Sequence, residues 1–335
     1  MLITLTGAFK NSGDHLIGSR ARALLANHTD HEIVDINRRT ISDSSYELFN
    51  KAKAVLLTGG PAYQASIYPG VYDLDLSRIS VPVIPYGLGW KGKLGQEPKS
   101  FSFTPEAAEF VKQIHQGPHF SSARDLLTLE VLAELGVDNA VMTGCPAWYY
   151  ESKLETDFAW REIQTIVFSM PAVTQESVLP ILKHLSKRFP RAKKYLAFNA
   201  GFKSTRNKDA AEITRWNSKV KLVAGMRGFE SVSYESDFAK FQEIQAQADL
   251  HVGFRVHSHI FSISQRIASV LIAEDSRGVG QLEAMGSPVL SAKQPPAELV
   301  AAIEAFVDSK GLGVQLAVEK IRATHPKMLE FISQL

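Results

Sequence analysis

The sequence contains one cysteine, Cys145, in 335 residues. A single cysteine excludes an internal disulfide framework and any zinc site built from several cysteines. Net charge is also nearly absent, because 37 lysine and arginine residues face 35 acidic residues and leave a formal charge of +2. No overall field therefore draws the chain to nucleic acid or to an anionic membrane surface, and we expect basic residues to act only locally.

A long apolar run is missing as well. No stretch approaches the roughly 18 consecutive apolar residues of a membrane-spanning helix, so we expect no membrane span. Met1 to Phe9 is short and has no preceding basic region, and it predicts a first strand rather than a signal peptide. The remaining composition, 45% hydrophobic and 21% charged, is that of a globular protein. We expect a cytoplasmic protein of two domains, because 335 residues is about twice the usual ~150.

Short apolar runs alternate with helical patterns along the chain. The predicted strands are Leu2 to Thr6, Glu32 to Ile36, Ala54 to Thr58, Val81 to Tyr86, Asn139 to Thr143, Gln164 to Ser169, Tyr195 to Asn199, Val220 to Ala224, Leu250 to Gly253 and Ser269 to Ala273. The predicted helices are Gly13 to Asn27, Pro105 to His115, Leu126 to Leu135, Gln175 to Phe189, Ile260 to Ile267, Glu298 to Lys310 and Val314 to Leu335. This alternation predicts an α/β fold with parallel sheets.

The pattern breaks once, at the aromatic-rich segment from Ala147 to Lys153. We therefore predict two Rossmann-like domains that face each other across a cleft, an N-terminal domain over residues 1–150 and a C-terminal domain over residues 151–335. In sheets of this kind ligands bind at the carboxyl ends of the strands. Functional residues are therefore expected in the loops that follow strands.

Two glycine-containing loops follow strands of the first half. The loop from Gly7 to Asp14 carries small and amide residues that would leave free N–H groups at a helix N-terminus, an arrangement suited to an anion. Asp14 itself would be either a functional carboxylate or a simple partner of the helix dipole. The second loop, Thr58 to Pro61, contains Gly60 and would be either a tight turn or a ligand contact.

Two further segments favour structural interpretations. Gly87 to Gly92 matches the G-x-G-x-x-G dinucleotide motif but continues into loop composition instead of a helix, so it predicts a cleft loop. Cys145 has no activating partner in the sequence and predicts a buried packing residue. Neither segment is expected to carry chemistry.

The densest functional signal lies at Leu250 to His259. Arg255 and His257 follow a predicted strand, two residues apart, and could together hold and protonate an anionic substrate. His251 lies inside the strand and predicts a hydrogen-bonded core histidine. The spacing of His257 and His259 suits a metal ion, but no third ligand is apparent in the sequence, so we expect no metal there.

Two more arginines lie near predicted strand ends. Arg124 stands between an apolar run and a leucine-rich helix, and Arg277 follows the strand after that of Arg255. We expect both to point into the cleft, although Asp125 could pair with its neighbour Arg124. Charged residues directly after buried strands indicate function more strongly than charges along a helix face.

Three segments, in order and with similar spacing, resemble the polysaccharide pyruvyl transferase family. They are Lys10-Asn11-Ser12-Gly13-Asp14, Ser122-Ala123-Arg124-Asp125 and Phe254-Arg255-Val256-His257. The chain departs from the family's usual residues at Lys10, Cys145 and Arg277. The resemblance spans nearly the whole chain and implies a fold similar to that of GT-B glycosyltransferases. It also implies an enzyme of polysaccharide biosynthesis that transfers pyruvate from phosphoenolpyruvate (PEP) to a sugar as a ketal and releases phosphate.

The resemblance implies roles for individual residues. Asp14 would be the general base, and His257 the general acid or a phosphate-binding cation that stays protonated beside a dianion. The other expected substrate-binding residues are Asn11, Gly13, Gly60, Arg124, Arg255 and Arg277. PEP carries a phosphate and a carboxylate, both of which the planar fork of arginine can bind. The reaction would need no metal and no cofactor besides PEP as co-substrate, and its acceptor would be a saccharide, free or lipid-linked.

Two other functions fit the same pattern. A GT-B-like glycosyltransferase would use a nucleotide-sugar donor and an acidic residue for its ribose, with Glu274, Asp275 or Glu283 as candidates. A catalytically silent relative would only bind a saccharide, stacking it on aromatic residues such as Trp90 and Trp148. Stabilisation by PEP but not by a nucleoside diphosphate would favour the pyruvyl transferase.

Overall fold

Strands and helices alternate through the described residues, which are 1–7, 11–204 and 209–335 of a computed structural model. Lys10 therefore lies outside the described residues. The strands are β1 (Leu2–Thr6), β2 (Ile33–Asn37), β3 (Ala54–Thr58), β4 (Val83–Leu88), β5 (Ser121–Ala123), β6 (Ala140–Met142), β7 (Thr165–Ser169), β8 (Lys193–Phe198), β9 (Phe229–Ser233), β10 (Leu250–Gly253), β11 (Ala268–Ala273) and β12 (Leu290–Ser291). The α-helices are α1 (Ser12–His28), α2 (Asp43–Phe49), α3 (Pro105–Ile114), α4 (Leu126–Glu134), α5 (Val178–Arg188), α6 (Ala210–Gly225), α7 (Phe238–Ala246), α8 (Val256–Ser264), α9 (Ser276–Ala284), α10 (Pro296–Asp308) and α11 (Val314–Ser333).

The strands form two six-stranded sheets in which neighbouring strands are parallel. The order is β2-β1-β3-β4-β5-β6 in the first sheet and β12-β11-β10-β7-β8-β9 in the second. Strands β1, β3 and β11 are buried along their whole length, as expected for unbroken apolar runs in parallel sheets. The predicted α/β fold is confirmed.

Parallel pairing determines where the functional loops lie. All carboxyl ends of the strands in one sheet lie along the same edge, so the loops after β1, β3 and β4 are neighbours, as are those after β7, β8, β10 and β11. Helix α1 begins just after the first of these loops, where the Asn11 side chain accepts a hydrogen bond from the Gly13 N–H at 3.3 Å. Helix α9 begins in the same way at Asp275, which caps the Arg277 N–H at 3.1 Å.

One predicted strand is wrong. Val220 to Ala224 lies in helix α6, and the strand of this region is β9, which begins at Phe229. The buried residues Ile213, Asn217, Val220 and Ala224 recur every three or four positions, which is the helical period. An apolar window of five residues is too short to distinguish the helical period of about 3.6 residues from the strand period of about 2. Helices α2, α7 and α9 and strands β5 and β12 are absent from the sequence prediction.

The last helix returns to the first sheet. The ring of Phe331 in α11 stacks on Tyr86 of β4, with 5.2 Å between ring centroids. Gln334 exchanges two hydrogen bonds with the backbone of Phe120, which precedes β5. The sheets themselves change between β6 and β7, on either side of residue 150, and the exact domain bounds stay a prediction.

None of the helices in the described part of the chain combines the length and the hydropathy that crossing a bilayer requires.

Candidate functional site

Three helix N-termini converge between the two sheets. Helices α1, α8 and α9 each follow the carboxyl end of a strand, and their N-cap residues are Asn11, Arg255 and Asp275. The first turn of a helix offers unpaired N–H groups and a partial positive charge, both of which favour an anion. The fold therefore directs several anion-favouring termini at one region.

The first turns of α1 and α8 touch at Gly13. A Cβ atom at Gly13 would lie 2.6 Å from Nδ1 of His257, a separation that no Cβ normally adopts. Glycine at this position therefore allows His257 of the second half to lie directly against the first half. Gly13 was predicted as a substrate contact, and the structure gives it a positioning contact with the imidazole.

Asn199 joins the same two helices on the other side. Its Nδ2 donates to Oγ of Ser12 at 3.2 Å and to Oγ of Ser258 at 2.9 Å, and its side chain is buried. Its Oδ1 is buried without a hydrogen-bond partner among the described residues. Asn199 follows β8, so it obeys the strand-end rule, but one amide in a loop carries too little signal to be selected from sequence.

Two adjoining cavities lie at this junction. The wider one, about 540 Å³, has Asp14, His257, Arg38 and Arg277 in its wall. The narrower one, about 220 Å³, has Arg255, Arg277 and Asn199 in its wall. Three residues line both cavities, namely Asn11, Lys91 and Arg277. The structure thus brings Asp14 of the first half and His257 of the second half to one cavity.

The two arginines of the narrow cavity differ in their partners. Arg277 donates from Nε to both carboxylate oxygens of Asp275 at 2.9 Å, and from Nη2 to Oδ2 at 2.5 Å. Burial acts to lower the pKa of Arg277, but the charge and hydrogen bonds of Asp275 outweigh it and raise the pKa. Arg255 donates from Nε to the Met170 carbonyl at 2.9 Å and, among the described residues, makes no ion pair. Arg255 is therefore a cation that no carboxylate of the described residues contacts directly, although the nearby charge of Glu274 acts to raise its pKa against the larger effect of burial, which lowers it.

Two acidic side chains near these arginines, those of Glu274 and Asp275, are bonded to groups of the protein. Glu274 accepts from the Ala172 N–H with both oxygens, at 3.0 and 3.1 Å, and burial raises its pKa. Burial also acts to raise the pKa of Asp275, but Arg277 outweighs it and the pKa lies below its ordinary value. Both carboxyl groups therefore have partners in the protein itself.

His257 is uncharged in this cleft. Burial lowers its pKa most, and the nearby positive charges of Arg124 and Arg277 lower it further, to about 3. Its Nε2 is buried and has no hydrogen-bond partner among the described residues. The sequence-based expectation of a protonated histidine applies to a cleft that contains a dianion. Without an anion, the arginines favour the neutral imidazole.

Two predicted ligands lie away from the cavities. Arg124 is fully buried, with Nε donating to Asp125 at 3.1 Å and Nη2 to the Trp90 carbonyl at 3.3 Å. The expectation that its side chain points into the cleft is therefore wrong. Its Nη1 is buried and lacks a partner among the described residues. Gly60 has a positive φ of 82°, and its carbonyl accepts from the Ala62 N–H at 3.1 Å, as in a tight turn. Direct substrate contact by either residue stays a prediction.

The glycine-rich segment after β4 forms a bridge between the halves. No α-helix follows β4 before α3, so the helix that a dinucleotide motif requires is missing from this described stretch. Instead the Gly92 N–H donates to Oγ of Ser276 at 2.6 Å, and the Ser276 N–H donates back to the Gly92 carbonyl at 3.3 Å. This connection holds Lys91 over both cavities, a position that the sequence did not indicate.

The remaining candidates are structural. His251 bonds through its two ring nitrogens to Ser169 and Ser269 at 2.9 and 2.8 Å, which confirms the core histidine. His259 bonds to the same Ser269 at 2.7 Å rather than joining His257. Cys145 is completely buried, and burial raises the pKa of its thiol to about 11, so it is a packing residue. The aromatic residues Trp90 and Trp148 are also buried and offer no exposed ring to a sugar.

Comparison with known proteins agrees with the motifs. A profile of the family described as polysaccharide pyruvyl transferase matches residues 11–276, which is most of the chain. The chain belongs to this family. The matched range includes the three segments on which the resemblance rests, apart from Lys10, and every residue proposed for the cleft except Arg277. A search of curated proteins gives no match.

Several solved structures are similar in fold to this member of the polysaccharide pyruvyl transferase family. UDP-GlcNAc 2-epimerase from Neisseria meningitidis, bound to UDP-GlcNAc, has a TM-score of 0.60 and 11% identity over 100% of both chains. HepE from Anabaena, in complex with UDP and glucose, has a TM-score of 0.55 and 10% identity over 100% of this chain and 99% of its own. MnaA from S. aureus, bound to UDP, has a TM-score of 0.57 and 11% identity over 95% of this chain and 90% of its own. Such likeness shows the fold alone, which confirms the GT-B-like architecture.

Proposed function

We propose that the protein transfers the pyruvate of PEP to two hydroxyl groups of a saccharide, forming a ketal and releasing phosphate. The observation that supports this most is the meeting of Asp14, His257 and Arg277 in one cavity wall, beside a narrower cavity lined by Arg255. The family match supports the transferase class. The narrower cavity would take the donor, and the wider one the sugar.

Charge favours PEP in the narrow cavity. PEP has a phosphate and a carboxylate on three carbons, so its binding requires cations close together. Arg255 supplies a positive charge without an ion-pair partner among the described residues, and Arg277 supplies one whose Asp275 partner fixes its direction. Lys91 lines the same wall. A dianion here would also lie near the N-termini of α8 and α9, which stabilise negative charge.

The reaction requires proton transfers in opposite directions. The C3 methylene of PEP takes up a proton, a sugar hydroxyl adds to C2, and the C2–O bond breaks so that phosphate leaves with the electron pair. The second hydroxyl then closes the ketal. Two hydroxyl protons are released, one proton is gained at the methylene, and the other passes to phosphate or solvent. His257, once protonated by the arrival of the dianion, would serve the methylene, and Asp14 would accept from a hydroxyl.

Thermal shift separates this function from nucleotide-sugar transfer. At PEP concentrations a hundred times its Kd, binding should stabilise the protein by about 2.7 kcal/mol, which appears as a higher Tm. We expect uridine or guanosine diphosphate to leave the Tm unchanged, because Glu274 and Asp275, two of the candidate ribose ligands, are already bonded to Ala172 and Arg277. Stabilisation by a nucleoside diphosphate and not by PEP would reject the proposal.

Turnover is tested with PEP and a panel of galactosides and mannosides. The expected result is phosphate release that depends on the acceptor, together with an acceptor whose mass has increased by one pyruvate ketal. If PEP binds but no saccharide in the panel, free or lipid-linked, releases phosphate, the chain would be a binding protein rather than a transferase.

Binding of PEP should take up a proton at His257. In the empty cleft burial and two arginines hold the pKa of His257 at about 3, so it is neutral near pH 7. The donor's negative charge favours the imidazolium and raises this pKa. The resulting gain in PEP affinity is therefore present at low pH and is lost as the pH rises through the pKa of the complex.

Calorimetry in two buffers of different ionisation enthalpy measures this uptake. PEP itself can gain protons, so the informative quantity is the difference between the wild-type protein and His257→Asn. We expect the variant to take up fewer protons per bound PEP and to show a weaker dependence of affinity on pH. Equal proton uptake by the two proteins would contradict the placement of His257 beside the donor.

A further inference from the structure

Three side chains from distant parts of the chain meet far from the cleft. His28 lies in the last turn of α1, Glu151 in a short 3₁₀ helix between the sheets, and His325 in α11. Helix α1 begins at the cleft and has 17 residues, so a rise of ~1.5 Å per residue puts His28 roughly 25 Å from its start. The cluster is therefore separate from the proposed reaction.

The ligand-type atoms of the cluster point at one another. Nε2 of His28 lies 2.5 Å from Oε1 of Glu151, and Nε2 of His325 lies 3.3 Å from the same oxygen. All three atoms lie within 4.8 Å of each other. Ligands of a tetrahedral zinc ion, each about 2.0–2.1 Å from the metal, are roughly 3.3 Å apart. Small side-chain rotations would therefore bring the three atoms to zinc-binding distances.

His325 lacks a satisfactory partner in this arrangement. Its Nε2 is buried and lies 3.3 Å from Oε1 of Glu151, but the contact lacks the geometry of a hydrogen bond. A buried ring nitrogen that makes no well-directed hydrogen bond is costly. A cation placed between the three side chains would satisfy both imidazoles and the carboxylate at once.

The surroundings prepare these groups as ligands. Asn27 donates to the other oxygen, Oε2, of Glu151 at 2.7 Å, which fixes the carboxylate and leaves Oε1 towards the histidines. The oxygen that faces the histidines is thereby available to a cation, since Asn27 already satisfies its neighbour.

We propose that His28, Glu151 and His325 bind one divalent transition-metal ion of the zinc type. Two imidazoles and one carboxylate form a common zinc ligand set, and the side chains of His28 and Glu151 are exposed enough, at 33% and 24%, for an ion to enter and for water to complete the coordination. The ion would connect the first helix, the segment between the sheets and the last helix. Its effect would be on stability.

The test uses protein without a polyhistidine tag, stripped with a chelator and dialysed. Titration with Zn²⁺ should reveal one bound equivalent, and a hundredfold excess over the Kd should raise the Tm by about 4 °C. Co²⁺ in its place should give the intense visible absorption of a four-coordinate ion. A protein that binds no stoichiometric Zn²⁺, or whose Tm does not respond, would overturn the proposal and leave the cluster as a hydrogen-bonded ion pair.

Variants locate the ion. His28→Gln and His325→Gln should each remove the bound equivalent and the Tm response. His184→Gln is the matched control, because His184 also pairs with a glutamate, Glu304, at 2.7 Å, but without a second histidine. The His184→Gln variant should retain both the bound Zn²⁺ equivalent and the Tm response. Comparison of far-ultraviolet circular dichroism without metal checks that each variant is folded. Binding that persists in both cluster variants, or that is lost in His184→Gln alone, would place the ion elsewhere and refute the assignment.

Discussion

Replacing Arg255 with alanine should weaken PEP binding by roughly 30- to 5000-fold, the equivalent of about 2–5 kcal/mol for removing one partner of a buried charge pair. Among the described residues Arg255 makes no ion pair, and its guanidinium lines the narrow cavity. The anion therefore loses a cation that, among the described residues, no carboxylate contacts directly. The Kd of PEP, measured by calorimetry, gives this effect directly.

Two variants control for the loss of charge alone and for general damage. Arg255→Lys keeps the charge but not the fork that binds two oxygens at once, so its affinity should lie between those of wild type and Arg255→Ala. Arg188→Ala removes an arginine that pairs with Glu304 and Asp308 on the surface, and it should bind PEP normally. If Arg255→Ala binds PEP as well as Arg188→Ala does, the donor does not occupy the narrow cavity.

The elements that the sequence predicted best are the buried strands. Leu250 to Gly253 and Ala54 to Thr58 have the predicted bounds, because a short apolar run closed by glycine or threonine has one simple interpretation in a parallel sheet. Strand β5 has only three residues, Ser121–Ala123, and two are serines. Its strand character comes from pairing with β4 and β6, which a local pattern does not contain.

The direction of a side chain was harder to predict than its place in the chain. Arg124 and Arg277 both follow strands, yet Arg124 turns inward and Arg277 lines the cavities. The difference depends on Gly89, where a Cβ would lie 2.2 Å from the Arg124 guanidinium carbon, so that the absence of a side chain there makes room for the arginine. This contact joins Gly89 and Arg124, which are far apart in the sequence, and neither the glycine-rich segment nor the segment around Arg124 reveals it.

The protonation state of His257 also depends on the folded cleft rather than on the local sequence. A histidine beside an arginine in sequence suggested a group that holds a proton, but the structure surrounds His257 with protein and with the charges of Arg124 and Arg277. Arg277, whose charge favours an anion in the cavities, therefore also makes the empty site unfavourable for an imidazolium. This couples protonation of the histidine to arrival of the donor, and the coupling follows from tertiary placement alone.

Gly13→Ala should lower turnover on the order of 100-fold, although it adds a single methyl group. By helix propensity alone the change is favourable, since alanine is preferred to glycine inside helices by roughly 0.5–1 kcal/mol. The methyl would meet Nδ1 of His257 at 2.6 Å, however, and so must displace the imidazole. Misplacing a reacting group by about 1 Å can cost about 100-fold in rate. The measurement is kcat for phosphate release, with Gly18→Ala in the same helix as the control, because its methyl makes a tight contact at 3.2 Å with Arg22 and Thr6 but none with His257.

A double-mutant cycle shows whether this loss acts through the imidazole. Urea unfolding is measured for wild type, Gly13→Ala, His257→Ala and the combination. Overpacking should make Gly13→Ala less stable by about 1–3 kcal/mol, and this penalty should disappear when His257→Ala empties the space. The two changes would then be strongly non-additive, as expected for side chains in contact. Additive free energies would show that the methyl acts on something other than His257, and that the two halves do not meet at this point.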